Sequence, residues 1–398
     1  MHIPTPRDYF SGKISHGFVS LYTGKVLMGI SGALLGLFLP IFLYELFNKN
    51  FAYTALYFGI GYLAYAICLF FFVRFLNSFG FRKALRVSIL FGTGYYATFY
   101  FLNEINWHFL LPLLLVILTI DRILYWLPYH VDFAKFTSKR NRSKQLGALG
   151  ATRQIAGIFI PLLSGFIISK YGFDVVFIIA AILYLSSGIP YLTLPRTREK
   201  FSWNYIETLQ NLVSKKYRKQ MLAFASDGAE TGIAMIVWPI FMYQILNGDY
   251  LKVGAISTII IGISVTTQLI LGKKLDKKTS KRKTLKLASY FSAVGWIIKV
   301  FIATTFQIFI VGAFHNLIRI FTRMPFDALT YEIAADEGHY VDEFTVLHEI
   351  AISIGRIITI SLAIVISIFA NIGWVFLLAA IASILLNFLR PSPEDISS

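Results

Sequence analysis

Apolar positions in this chain run together for about twenty residues at a time, and short polar breaks separate the runs. The runs fall at 20–47, 52–73, 84–103, 107–130, 147–169, 174–194, 219–246, 253–272, 285–305, 307–326, 346–370 and 371–389. At 1.5 Å per residue, about twenty apolar residues cross the ~30 Å hydrocarbon layer of a bilayer. Hydrocarbon supplies no hydrogen-bond partner, so each segment must satisfy its own backbone, which a helix does. A barrel would instead show segments of about ten residues with alternating polarity. The pattern predicts an all-α integral membrane protein with twelve transmembrane helices.

The runs also repeat. LPIFLYELFN at 39–48 returns as WPIFMYQILN at 238–247, and five of the nine positions from Pro40 to Asn48 recur unchanged. The offset of 199 also carries Asn77 onto Asp276, each in a basic loop after a second apolar run. Duplication in apolar surroundings predicts two pseudo-symmetric six-helix bundles, with a possible ligand site between them. We place the bundles at 1–195 and 220–398, joined by a cytoplasmic linker at 196–219. Within the linker, FSWNYIETLQNLV (201–213) spaces Phe201, Tyr205, Leu209 and Leu212 as an amphipathic helix for the membrane surface.

Composition agrees: 56% of residues are hydrophobic and mean hydropathy is +0.65. The net charge of +16 would suit nucleic acid, but its placement does not. Bases gather in alternate loops, the densest being Lys273 to Lys286 with eight bases and one acid, while the intervening loops carry at most one each. That is the positive-inside pattern, with both termini cytoplasmic and the bases against anionic headgroups. Nucleic acid is not expected as a partner. The loop at 327–345 breaks the trend with six acids, either solvated or paired with the neighbouring basic loop. The first apolar run is long and lacks a small-residue cleavage site, so no cleavable signal is expected, and the location expected is the cell (plasma or inner) membrane. The single cysteine, Cys68, excludes disulfides, and the seven histidines show no metal-ligand spacing. No phosphate-cradling loop and no nucleophile arrangement is present, so neither cofactor, metal nor enzymatic activity is expected.

The loop after the second run reads VRFLNSFGFRK. It resembles the G-x-x-x-D-[RK]-x-G-[RK]-[RK] signature of the major facilitator superfamily. Gly80, Arg82 and Lys83 are retained; Val73 and Asn77 replace the first glycine and the acid, and Ser78 and Phe81 fill two basic positions. The corresponding loop of the second half, GKKLDKKTSKRK, keeps Gly272, Asp276 and Lys277. The resemblance covers nearly the whole chain and implies alternating access by rocking of the halves. Such loops can latch one rocking state, with Asp276 carrying more of the latch because Asn77 is uncharged; plain positive-inside topology also explains the bases. In the fifth run, AGIFIPLLSG (156–165) is similar to the superfamily's antiporter pattern, keeping Pro161 and Gly165. Ordinary small-residue packing accounts for it equally.

Charges inside spans are costly and mark pathways or pairs. In the seventh run Asp227 and Glu230 share a helical face. Their repeat mates are Met28 and Ser31, so the bundle architecture does not require acids there. The fourth run carries Asp121 and Arg122; the tenth carries His315, Asn316, Arg319 and Arg323, with His315, Arg319 and Arg323 four apart. In the superfamily, spans one, four, seven and ten line the central cavity, so the resemblance makes Asp227, Glu230, Asp121, Arg122, His315, Asn316 and Arg319 candidates for solute or proton binding. Static salt bridges are the competing reading, and acids turned toward neighbours within their own bundle would speak against a central site. Lys25 can snorkel, and Lys299 can reach the opposite interface. Glu349 and Arg356 can bridge to span eight or ten.

The function expected is secondary active transport of a small-molecule solute, with proton-coupled export of an organic or amphiphilic solute preferred. Uptake of an anionic metabolite held by Arg122, Arg319 and Arg323 is the alternative, and a transport-inactive sensor or scaffold is a third reading.

Overall fold

The computed structural model describes residues 16–72, 74–136, 142–195, 205–275, 281–336 and 341–389. Among them the chain is helical, with no strand. Each of the twelve expected runs is occupied by one helix or by two in succession. In the first half these are α1 (His16–Gly36) and α2 (Leu39–Leu46), α3 (Phe51–Phe72), a short α4 (Phe75–Phe79), α5 (Phe81–Tyr100) and α6 (Trp107–Phe136). The half continues with α7 (Arg142–Gly157) and α8 (Ile160–Tyr171), then α9 (Phe173–Ser186) and α10 (Gly188–Tyr191). The linker forms α11 (Tyr205–Val213). The second half holds α12 (Arg218–Ile245), α13 (Tyr250–Leu275), α14 (Lys281–Lys299), α15 (Thr305–Asp336) and α16 (Val341–Phe369). It closes with α17 (Phe376–Leu385), flanked by two short 3-10 turns.

Eight segments among the described residues are long and apolar enough to cross a membrane, and the segment 372–388 is shorter. Large apolar side chains such as Leu90, Phe109 and Ile368 stand exposed, which suits a surface facing lipid. Helices α6 and α15 run beyond the ends of their apolar runs, because hydropathy falls there while the backbone remains helical. Both keep an internal proline, Pro128 and Pro325.

The chain divides into two compact units: residues 1–35 with 71–201, and 36–70 with 202–398. The first unit has an aromatic core that includes Phe18, Tyr125, Tyr129, Tyr184 and Tyr191. The fifth run breaks between Gly157 and Ile160, and Pro161 opens the first turn of α8, where its missing N–H costs nothing.

In the second unit, α12 and α16 meet at two glycines. A Cβ at Gly228 would lie 2.1 Å from the Ile352 carbonyl oxygen, and one at Gly355 would lie 1.8 Å from that of Ala225. Only glycine permits so close a backbone approach. Phe224, Phe326, Phe344 and Leu347 belong to a buried apolar cluster that takes in Ile352 of this seam.

The duplicated segments keep their register to the hydrogen bond. Asn48 and Asn247 both end a helix at positive φ, 53° and 54°, a conformation that asparagine tolerates better than most residues. Asn50 then caps the next helix by accepting from the Tyr53 amide, and Asp249 accepts from that of Lys252. Pro40 begins α2 after a break, whereas Pro239 lies inside the continuous α12. The copies also touch: Gln244 donates to the Tyr44 hydroxyl at 2.7 Å.

In the linker helix, Leu212 packs on the core while Ile206, Leu209 and Val213 stay exposed, an apolar face open to a membrane surface.

Candidate functional site

Helix α12 carries Asp227 and Glu230 one turn apart, 3% and 5% exposed. Asp227 pairs with Arg323 of α15, whose Nε lies 3.2 Å from Asp327 Oδ1, so two carboxylates share one guanidinium. Glu230 turns toward α14. Its Oε1 accepts from Ser292 Oγ at 3.1 Å and from Trp296 Nε1 at 3.0 Å. Ser292 in turn lies 3.2 Å from His315 Nε2 and receives a bond from Ser383. The result is a buried polar chain from His315 through Ser292 to Glu230.

Around it stand two more cations. Lys299 Nζ lies 3.9 Å from the Trp238 ring and 4.1 Å from the Trp296 ring. Cation–π attraction compensates part of the cost of burying its charge. Arg319 feels the charges of Glu230 and Asp227, yet among the described residues it has no carboxylate oxygen within 4.0 Å. Asn316 is partly buried beside His315. Asp227, Glu230, Thr231, Arg319, Thr322 and Arg323 line a small cavity with about 10 Å³ of free volume, roughly the room for one water.

Spans seven and ten therefore converge within the second unit. Both acids face neighbours of their own unit, Glu230 the α14 helix and Asp227 the α15 helix. Glu230 is thus a hydrogen-bond acceptor engaged inside its own unit, and this orientation of both acids speaks against the central solute site expected from the sequence.

Asp121 and Arg122 belong to a separate cluster in the first unit. Asp121 accepts from the Tyr184 hydroxyl at 3.0 Å and lies within electrostatic reach of Arg122 and Lys25. Lys25 does not snorkel. It is buried, with its ammonium 3.9 to 4.6 Å from the ring centres of Tyr125, Trp126 and Tyr129. The repeat mates of the acids are structural: Met28 packs against the core, and Ser31 donates to the Ala180 carbonyl at 2.7 Å.

Among the loop residues, Gly80 joins α4 to α5 at φ 87° and ψ 131°, a conformation reserved for glycine. Asn77 and Arg82 are partly buried there and Lys83 is exposed. Gly272 lies within α13; Asp276, Lys277 and Val73 lie outside the described residues. Lys281 pairs with Glu332, so the acidic loop region engages the basic cluster at that point.

Other expectations required correction. Lys299 is enclosed by tryptophans instead of reaching an interface. Glu349 and Arg356 bridge to spans two and seven, not eight or ten. Tyr65 donates to Glu349 at 3.3 Å, while Arg356 lies over the Tyr62 ring and approaches Thr231 Oγ1 at 3.4 Å. Ser292, Trp296 and Thr231 were not anticipated as site residues. The spacing of Trp296 and Lys299, three apart and so on one helical face, was the available signal.

The sequence model described as Major Facilitator Superfamily matches residues 21–318. An uncharacterized protein of Bacillus subtilis (strain 168), YqgE, is 22% identical over 244 residues, covering 59% of this chain and 56% of that one. The match thus spans little more than half the length of that relative. Among solved structures, the human organic anion transporter MFSD10 (TETRAN) is similar with a TM-score of 0.69 at 12% identity, over 95% of this chain and 99% of that one. A mutant peptide transporter POT in complex with alafosfalin gives 0.67 at 11% identity, over 97% of both chains. POT in complex with sulfate gives 0.69 at 10% identity, over 93% of this chain and 92% of that one.

Proposed function

The chain belongs to the Major Facilitator Superfamily, and from that premise we propose a proton-coupled secondary transporter whose coupling groups are Glu230 and Asp227 of α12. Secondary transport of a small-molecule solute follows from the family. The coupling reading rests above all on one observation: α12 buries two carboxylates one turn apart, Asp227 paired with Arg323 of α15 and Glu230 bonded to Ser292 and Trp296 of α14, where the duplicated half has only Met28 and Ser31.

Around Glu230 stand Lys299 of α14 and Arg319 and Arg323 of α15, whose charges act on it, with His315 one hydroxyl away through Ser292; Asp227 and Asp327 pair with Arg323. Three acids, three bases and one histidine therefore meet in this cluster. A charge added to such a cluster, or a partner removed, is strongly disfavoured in a low-dielectric interior. Proton and solute binding at this cluster would therefore be coupled, and by thermodynamic linkage each would change the other's affinity equally. The chain His315–Ser292–Glu230 offers the proton a route within hydrogen-bond reach.

Export is the preferred direction, because of the buried acids and the antiporter-like AGIFIPLLSG pattern of the fifth span. Uptake of an anion would draw on the arginines. In either case both termini would be cytoplasmic, in the plasma or inner membrane.

The test is flux in proteoliposomes containing the purified full chain, using a solute panel with and without a pH gradient. Gradient-driven flux that is lost in Glu230→Gln and Asp227→Asn is expected. Flux that ignores the gradient and survives both substitutions would sink the coupling assignment.

A further inference from the structure

Two arginines of the second unit reach the Thr231 turn of α12 without a carboxylate oxygen within 4.0 Å among the described residues. Arg319, from α15, lines the same cavity as Thr231 and makes no ion pair among the described residues. Arg356, from α16, approaches Thr231 Oγ1 at 3.4 Å, stacks its guanidinium 4.7 Å over the Tyr62 ring and passes against Gly232. Its Nε is buried with no hydrogen-bond partner. A buried donor with no acceptor is rare in native proteins and calls for an explanation such as a bound group.

The acids nearby cannot fill that role. Asp227 is taken by Arg323, Glu230 by Ser292 and Trp296, and Glu349 receives Tyr65 and lies 3.8 Å from His348. Thr231 itself donates to the Asp227 carbonyl, so its hydroxyl proton is already used. What remains at this turn is two guanidiniums from different helices with no carboxylate oxygen within 4.0 Å among the described residues, one of them with an unpartnered buried Nε and a planar fork suited to an oxyanion.

We propose that Arg319 and Arg356 form an oxyanion subsite at the Thr231 turn, which takes the carboxylate or phosphate group of a small soluble anion. This rests on the reading of the second unit as the solute-binding region. It selects the anionic class of cargo, whichever way the cargo moves.

The full chain in detergent would be titrated with benzoate and with inorganic phosphate, using tetraethylammonium as the cation control. Thermal stability and tryptophan fluorescence would be the readouts. At least one oxyanion should raise the melting temperature saturably, and tetraethylammonium should not. Arg319→Gln and Arg356→Gln should each raise the apparent Kd about tenfold or more, the scale of one charge-assisted hydrogen bond. Arg319→Lys, which keeps the charge, should stay within severalfold of wild type and guards against misfolding as the cause. A Kd unchanged in both glutamine variants overturns the subsite, as does the lack of saturable oxyanion binding to folded wild-type protein.

Repeating the titration in nanodiscs with and without phosphatidylglycerol separates the sources. An unaltered Kd supports a soluble anion, and competition by the lipid overturns that choice in favour of a headgroup. Flux keeps the two proposals apart. Wild-type, gradient-driven flux in Arg319→Gln and Arg356→Gln overturns the subsite and leaves transport standing. Oxyanion binding without flux of any solute does the reverse.

Discussion

Gly355→Ala is the most exacting check on how the second unit is built. Its Cβ would fall 1.8 Å from the Ala225 carbonyl oxygen, a backbone atom that no rotamer change can move. Ordinary contact begins near 3.4 Å, so α12 and α16 would have to part by about 1.6 Å. A gap of 0.5–1 Å already forfeits a quarter to a half of a dispersion contact, so most close contacts at the seam would be lost. Overpacking of this kind costs about 1–3 kcal/mol, and the higher helix propensity of alanine returns about 1 kcal/mol. We expect a net loss of about 1 kcal/mol, up to about 2 kcal/mol, in detergent unfolding followed by tryptophan fluorescence. Gly94→Ala is the control: a Cβ there meets nothing within 4 Å, so it should be neutral or stabilise by up to about 1 kcal/mol. Gly228→Ala added to Gly355→Ala should cost little more, because the first Cβ has already opened the seam. A Gly355→Ala protein as stable as Gly94→Ala would refute the close approach.

Three further outcomes follow from the geometry. Asp227→Asn should destabilise by about 1–2 kcal/mol, below the range for a fully buried pair because the Arg323 side chain is 44% exposed and keeps Asp327; the swap Asp227→Arg with Arg323→Asp should recover part of that loss in the same unfolding assay. Gly80→Ala should cost about 1–3 kcal/mol, since φ 87° with ψ 131° is open to glycine alone, and equal stability in thermal melts would contradict that conformation. At the start of α13, the Lys252 amide and ammonium hold the Asp249 carboxyl below the usual carboxylate range. A lowered folded-state pKa gives stability that is present above the unfolded value near 4 and lost as pH falls through the folded one. Asp249→Asn, which keeps the capping oxygen, should flatten that acid-range slope of unfolding free energy, and an unchanged slope would rule the contribution out.

The membrane-spanning helices could be read directly because lipid imposes a one-dimensional rule: run length and hydropathy decide crossing, whatever the neighbours. The repeat was equally legible, and its register survives in the paired left-handed Asn48 and Asn247 and in the caps Asn50 and Asp249. The site was legible only in part. Asp227, Glu230, Arg319 and Arg323 stood out because charge in an apolar run is expensive wherever it points. Their partners did not stand out. Ser292 and Trp296 are unremarkable residues for a span, and nothing in their own sequence windows says that they face Glu230. Lys25 and Lys299 were misread for a related reason: a lysine near a span end has a long enough stem to reach water, and only the packing of Tyr125, Trp126 and Tyr129, or of Trp238 and Trp296, holds it inside. Arg356 was assigned to the wrong neighbours, because helical phase gives a direction around one helix but not the identity of the helix met there.

By itself the sequence determined the solvent of each segment, the duplication and the positions where the copies break symmetry, since all of these are properties of local composition and spacing. Tertiary structure alone decided which charges are matched. It gave Asp227 to Arg323 and Glu230 to α14, and left Arg319 and Arg356 with no carboxylate oxygen within 4.0 Å among the described residues. Pairing depends on distances of a few ångströms between helices remote in the chain, and the glycine seam of α12 and α16 helps set those distances.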